Sequence, residues 1–352
     1  MNSATSRFWG RGHNDVVERD HHALVVGSGY AGVKHAEALD ELGIAFTGPL
    51  SARRVMEDPR ALEDPAVEVV HVCASNDLHV ALAGRALRAG KDVVCEKPLA
   101  VDVRGAEELV ALAHKTGRLA VLAYNYRFHP MVVELAARVA FVGPLHTARG
   151  SFLQDWLLLA SDANWRIEEA RGGASRAIAD IGAHWIDLAE LVSGKRVVAV
   201  AAQLGRLHGR GTEDHAGLLL GFSDGMTGTL MLSQAAAGHR NDMELSLDGA
   251  IGSVTWRHER PNELWLGSRG GDAVVIGRDD DLLSPAARAL AALPAGPNEA
   301  RRNLLTAVYA RLSGDEQASA APLATFEDGL RHARFAAAAL ESASREKWVS
   351  IE

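Results

Sequence analysis

The chain is 352 residues long, more than a single hydrophobic core usually fills, so two domains are expected. Apolar residues make up 47% and charged residues 23%, which excludes a disordered or fibrous chain. A formal charge of -8 with no Lys/Arg run among aromatics argues against nucleic acid and leaves small molecules, neutral or cationic, as partners.

Residues 1–21 read as a polar extension; Phe8 and Trp9 stand in it without an apolar stretch of signal-peptide length. No later stretch is long and apolar enough to span a bilayer, so no membrane association and a cytoplasmic location are expected. From Ala23 short apolar runs alternate with helical segments: Ala23–Val26, Ile44–Thr47, Val67–Ala74, Asp92–Cys95 and Leu119–Ala123. Gly43, Gly90 and Gly117 punctuate the helices between them. This rhythm predicts a doubly wound α/β domain over 22–143, with a parallel sheet covered on both faces. Cys73 and Cys95 sit late in two of the runs and read as buried, reduced thiols.

After Pro144 the pattern changes. A tryptophan-rich segment and a helix over about 176–192, stopped by Gly194, lead into runs at 197–204, 214–222, 226–234, 242–248, 251–257 and 262–266. These predict one mainly antiparallel open sheet in a second, α+β domain over 144–352. A last helix over 325–345 opens on Thr325 and Asp328, a capping-box pair.

The first chemistry-bearing motif is Gly27-Ser28-Gly29-Tyr30-Ala31-Gly32, which fits G-x-G-x-x-G and lies between a strand and a helix. Gly27 permits the turn, Gly29 lets backbone approach a pyrophosphate, and Gly32 lets helix and strand pack closely. An enzyme selecting NAD often ends its second strand on an acidic residue; here that region reads Ser51-Ala52-Arg53-Arg54. Ser51, Arg53 and Arg54 could bind a 2′-phosphate or be plain surface, which leaves NAD and NADP both open.

Glu96-Lys97-Pro98 follows a strand at the carboxyl edge, where open α/β sheets bind ligands. A lysine there can hydrogen-bond a substrate oxygen and stabilise charge developing on it. Farther on, Asp180 and His184 are spaced i, i+4 on the predicted helix and share a face. A histidine can take an alcohol proton near neutral pH while a carboxylate orients the substrate or the imidazole. No Cys/His group has zinc-ligand spacing, and a lysine can polarise oxygen, so no metal is expected.

The blocks GSGYAG, EKP and DIGAH, in this order and spacing, resemble the glucose-fructose oxidoreductase, inositol dehydrogenase and rhizopine-catabolism (Gfo/Idh/MocA) family over nearly the whole chain. The resemblance implies a Rossmann domain, a second domain whose sheet serves homo-oligomerisation, and a catalytic set carried by Lys97, Asp180 and His184. It also implies cofactor contacts from the glycine loop, Ala74, Ser75, Asn76, His79, Glu96, Lys97 and Asn125, with Arg127 near the site. Asp155-Trp156 and Trp165-Arg166 combine aromatic and polar groups as a polyol pocket would; a core tryptophan pair is the plain alternative. The expectation is an NAD(P)-dependent dehydrogenase acting on a hydroxyl of a sugar, cyclitol or aminoglycoside ring. Two other readings stay open: a glycosidase using NAD transiently, without net reduced cofactor, and a nucleotide-sensing regulator on the same fold.

Overall fold

The computed structural model describes residues 21–315 and 319–352, so the expected extension with Phe8 and Trp9 lies outside the described residues apart from His21. The first sheet contains β1 (His22–Val26), β2 (Ala45–Leu50), β3 (Val69–Val72), β4 (Asp92–Cys95) and β5 (Ala120–Leu122), all parallel. Its middle strands are apolar on both faces because helices cover both sides: all four residues of β3 are buried. The strand expected over Val67–Ala74 is trimmed to Val69–Val72, and β2 reaches three residues past Thr47. Gly43, Gly90 and Gly117 all take positive φ, as helix-stopping glycines do.

The second sheet contains β6 (Leu145–Leu153), β7 (Val197–Gly205), β8 (His215–Phe222), β9 (Thr227–Ser233), β10 (Asp242–Gly249), β11 (Gly252–Arg257), β12 (Glu263–Ser268) and β13 (Val274–Gly277). Together with β15 (Val349–Ser350) the order is β13-β12-β11-β10-β6-β9-β8-β7-β15, antiparallel except where β6 lies parallel to β9. Every strand expected between 197 and 266 is present. The sequence reading missed β6, the strand at the centre. Its residues, LHTARGSFL, show no clean apolar alternation because Gly150 meets the sheet's helix without a side chain.

That helix, Ala183–Ser193, is buried on nearly all sides, between the strands and the first sheet's helices. The Trp185 indole donates to the Glu244 carbonyl at 2.7 Å, directly over Gly150.

The division expected at residue 143 is not a clean cut. Helix Glu299–Leu312, unforeseen in sequence, packs Leu304, Leu305, Val308 and Tyr309 against Ala23, Val25 and Val69 of the first sheet. The short β14 (Ala324–Thr325) then pairs antiparallel with β5. The last helix, Phe326–Arg345, opens on the expected capping box, Thr325 and Asp328 each bonding the other's backbone amide. Thus the chain returns to the first sheet from Glu299 onward and ties the two layers together. Among the described residues no helix is long and apolar enough to cross a membrane.

A Cβ at Gly150 would land on the Glu244 carbonyl and the Trp185 indole nitrogen. Gly150→Ala is therefore expected to lower unfolding free energy by about 1–3 kcal/mol. Urea titration should show a lower midpoint with unchanged slope.

Candidate active site

The glycine turn is locked from below and open above. A Cβ at Gly27 would strike the Cys73 carbonyl, and one at Gly32 would strike the Gly27 carbonyl, whereas one at Gly29 would meet nothing within 4 Å. Gly27 also needs its φ of +124°, and its amide donates to Leu50 O at 2.7 Å, pinning the turn to the end of β2. Helix Tyr30–Glu41 starts here with no side chain capping its first turn. Free amides at a helix start beside an open glycine fit a dinucleotide pyrophosphate. Ser28, Gly29 and Tyr30 are exposed around it, and Ala31 is half-buried at the helix start.

Ser51 is the N-cap residue of a short helix, Ala52–Glu57, one residue after Leu50. Arg53 and Arg54 are exposed on that helix.

Glu96 and Lys97 leave β4 at the carboxyl edge, as read from the sequence, and Lys97 meets the second domain there. Its Nζ donates to Asp180 Oδ1 at 2.6 Å and to the Asp180 carbonyl at 2.9 Å. Both side chains are largely buried. Asp180 Oδ2 accepts from Gln234 Nε2 at 2.8 Å and lies 3.4 Å from Arg166 Nε. Burial would raise the Asp180 carboxyl, but the Lys97 and Arg166 charges and the bonds from Lys97 and Gln234 hold it well below the usual range.

One expectation changes. Ile178–Gly182 forms a π-helical turn ahead of the α-helix, so Asp180 and His184 are not stacked at ideal α spacing. The carboxylate is spent on Lys97, Gln234 and Arg166, and no bond joins it to His184. His184 instead sits edge-on to the rings of Tyr124 and Tyr126, centroids 5.5 and 4.9 Å away, and its Nδ1 is buried without a partner. Burial, and then the Lys97 charge, push its pKa well below 6.5, which keeps the imidazole neutral.

Around this centre runs a polar network. Gln154 Nε2 donates to Asn241 Oδ1 at 2.7 Å, Asn241 Nδ2 donates to the Tyr126 hydroxyl at 2.8 Å, and His258 Nδ1 stands 3.5 Å from Asn241. Burial pushes the Tyr126 hydroxyl up to about 12, so it keeps its proton. The Trp156 indole donates to Gln154 Oε1 at 2.7 Å, and the Arg166 guanidinium lies over Trp165, 4.3 Å from the ring centre. Asp155 accepts from the Gly238 amide at 3.0 Å, pinning two loops together.

Other expected ligands are committed elsewhere. Arg127 is buried in ion pairs with Asp187 and Asp328, at 2.5 and 3.1 Å, and so holds helices together. Both ring nitrogens of His79 face backbone carbonyls, of Pro98 and Ala74, and the Asn76 amide donates to Gly172 O. Ala74 and Ser75 form the half-buried turn that leads into helix Asn76–Arg88, and Asn125 opens a 3-10 turn after β5. Gln234, Asn241 and His258 were not foreseen; the only signal was a glutamine at the end of the apolar run over 226–234. Among the described residues one His/Asp/Glu grouping could hold a metal, His239, Asp242 and Glu259, outside the Lys97–Asp180 centre.

An open glycine turn on the same sheet edge as a lysine paired with an aspartate, and a buried histidine with an unpartnered Nδ1, fit the class that the family match gives: an oxidoreductase with an NAD-binding Rossmann domain. Residues 21–124 match the model described as "Oxidoreductase family, NAD-binding Rossmann fold", and residues 136–255 match the Gfo/Idh/MocA C-terminal domain; the chain belongs to this family. Levoglucosan dehydrogenase of Pseudarthrobacter phenanthrenivorans is 27% identical, covering 90% of this chain and 88% of its own. A structure of levoglucosan dehydrogenase with NADH and L-sorbose superposes with TM-score 0.82 at 25% identity, over 94% of this chain and 99% of that one. An inositol dehydrogenase homologue from Azotobacter vinelandii, solved with NAD+, shares the fold with TM-score 0.84 at 23% identity, over 95% and 98%.

Replacing Arg127 by methionine strands Asp187 in the core. A loss of about 3–5 kcal/mol is expected. Chemical denaturation should show it, and the NADH affinity of the folded fraction should stay near wild type.

Proposed function

We propose that the chain is a dehydrogenase that oxidises, or in reverse reduces, a secondary hydroxyl on a sugar, cyclitol or aminoglycoside ring. The observation that carries this reading is the meeting of Lys97, from the first sheet, with Asp180 beside an unpaired, neutral His184. The bound nicotinamide supplies the hydride acceptor. Lys97 Nζ holds the substrate oxygen and stabilises the negative charge that forms on it, and His184 takes the hydroxyl proton. Asp180 acts differently from the first expectation: it orients Lys97 and stays ionised because Gln234 and Arg166 also bond or face it. Trp156, Arg166, Asn241 and Tyr126 offer the mixed ring faces and hydrogen-bonding groups that a polyol needs. The relative crystallised with L-sorbose supports a sugar-like ligand.

The end of β2 and the start of the following helix, Leu50 to Arg54, carry no carboxylate to repel a 2′-phosphate, so NADP belongs beside NAD as a candidate cofactor. Leu219, Met231, Trp265 and Val275 are exposed on the second sheet, an apolar face that supports a homo-oligomer formed with a second copy.

A panel of polyols, sugars and aminoglycosides with NAD+ and NADP+, followed at the reduced-nicotinamide band, tests the reading. Absence of net reduced cofactor with every substrate class would overturn it. Lys97→Ala should lower turnover by roughly 10²–10⁴-fold while leaving NADH affinity near wild type; an unchanged kcat would remove Lys97 from the chemistry.

The pH profile carries a sign. A base works only when deprotonated, and burial and Lys97 place the His184 value below 6.5. Oxidation should therefore keep its full kcat/KM down through pH 6.5 and lose it only as pH falls further. A His184→Gln variant should lose both the rate and this limb.

A further inference from the structure

Two histidines and a tyrosine stand in the apolar core of the first domain, where no catalytic step uses them. His35 lies on the glycine-turn helix, His71 in the middle of β3 and Tyr309 on helix Glu299–Leu312, and all three are fully buried. Tyr309 Oη is 2.9 Å from His71 Nε2, His71 Nδ1 is 2.9 Å from His35 Nδ1, and His35 Nε2 is 3.3 Å from Glu96 Oε1. Unbonded, these groups would weaken the core; each is satisfied by the next.

The chemistry of the four groups fixes the direction of every bond. Burial lowers both histidines and raises the Tyr309 hydroxyl, so imidazoles and phenol are neutral. A carboxylate only accepts, so His35 carries its proton on Nε2 and offers Nδ1 as a lone pair. His71 must then donate from Nδ1 and accept at Nε2, where Tyr309 donates. All three donors point toward Glu96, and such aligned bonds polarise one another.

Glu96 is the residue before Lys97, and its other oxygen accepts from the Lys97 amide at 3.2 Å. Arg301 Nη2, from the helix that carries Tyr309, lies 3.5 Å from Oε1. The Lys97 ammonium, His184, His79, Cys73 and Cys95 are further titratable groups that interact with this carboxylate. Burial would raise the Glu96 carboxyl; the bond from His35 and the charge of Arg301 hold it well below its ordinary value.

We propose that Tyr309, His71 and His35 form a one-way hydrogen-bond relay that keeps Glu96 ionised and fixed at the edge of the dinucleotide cleft, making all three positioning residues for the cofactor's nicotinamide half. The proposal rests on the reading that the dinucleotide lies over the glycine turn and reaches Glu96. Through the relay, the helix returning from the second half of the chain helps set the charge beside Lys97.

The test combines ¹⁵N NMR of the unmutated protein with NADH titration of variants at pH 7. NMR should place the proton on Nε2 of His35 and on Nδ1 of His71, with both rings titrating below the ordinary imidazole value of 6.5. His35→Leu removes the donor to Glu96 and should raise the NADH Kd about tenfold or more, with an acid limb of binding moved up by about one to two pH units. His35→Gln, whose amide can donate to Glu96 and accept from His71, should recover most of that affinity. A role in packing alone would let the leucine variant bind as well as the glutamine variant. Tyr309→Phe should give a smaller effect in the same direction. Opposite tautomers, titration of either ring at or above the ordinary imidazole value, or wild-type affinity in His35→Leu would overturn the relay. Failure of the unmutated protein to bind NADH, with the tautomers as stated, would overturn the dinucleotide reading and leave the relay standing.

Discussion

The contact between Lys97 and Asp180 is the constraint on which the rest depends. An ammonium at the edge of one sheet and a carboxylate over the other are held 2.6 Å apart in largely buried surroundings. Removing two charges from water is costly, and the cost is offset only where further bonds surround them. Asp180 gains those from Gln234 and faces Arg166, while Lys97 also bonds the Asp180 carbonyl. A pair so supported fixes the separation of two layers of structure, and with it the width of the cleft between them.

Several features of the fold serve that spacing. The all-round burial of helix Ala183–Ser193 keeps Asp180 and His184 from shifting, and Gly150 lets the helix lie close to β6 and β10. Before the helix, the buried Glu213 carboxylate accepts from the amides of Arg176 and Ile178 and from the Ser175 hydroxyl, so the π-helical turn starts from a fixed point. On the opposite side Arg127, Asp187 and Asp328 tie the turn after β5 to two helices. Polar groups buried in this way stabilise modestly at best, but they specify one arrangement where a purely apolar seam would allow several.

Electrostatics divides the centre into two jobs. The carboxylate is kept ionised by its cations, and the imidazole is kept neutral by burial and by the nearby ammonium. Both values are pushed down, so at neutral pH one group holds a negative charge while the other is neutral and free to take a proton. Glu96, behind Lys97, adds a second fixed negative charge at the same edge. Glu96 and Lys97 stand at the carboxyl end of a parallel strand, while Asp180 and His184 reach them from the helix over the second sheet.

What the chain order carries by itself are the local and periodic features. Strand β4, the glycine turn between β1 and its helix, the Thr325–Asp328 cap and the alternation in β8 and β9 follow from short-range sterics and face patterning, and these were legible. Lys97, Asp180 and His184 could be picked out because each stands in a motif whose spacing implies a strand end or a helix face. The roles of Arg127 and His79 could not, since a buried ion pair and a pocket ligand look alike until the partner, 60 residues away in the case of Asp187, is in contact. Strand β6 escaped because a glycine that makes room for Trp185 breaks its alternation, and helix Glu299–Leu312 because only tertiary contact turns it back onto the first sheet. Whether Asp180 serves His184 or Lys97 was likewise decided by packing: a π-helical turn changes which side chains meet, and its energy comes from long-range neighbours that no local spacing records.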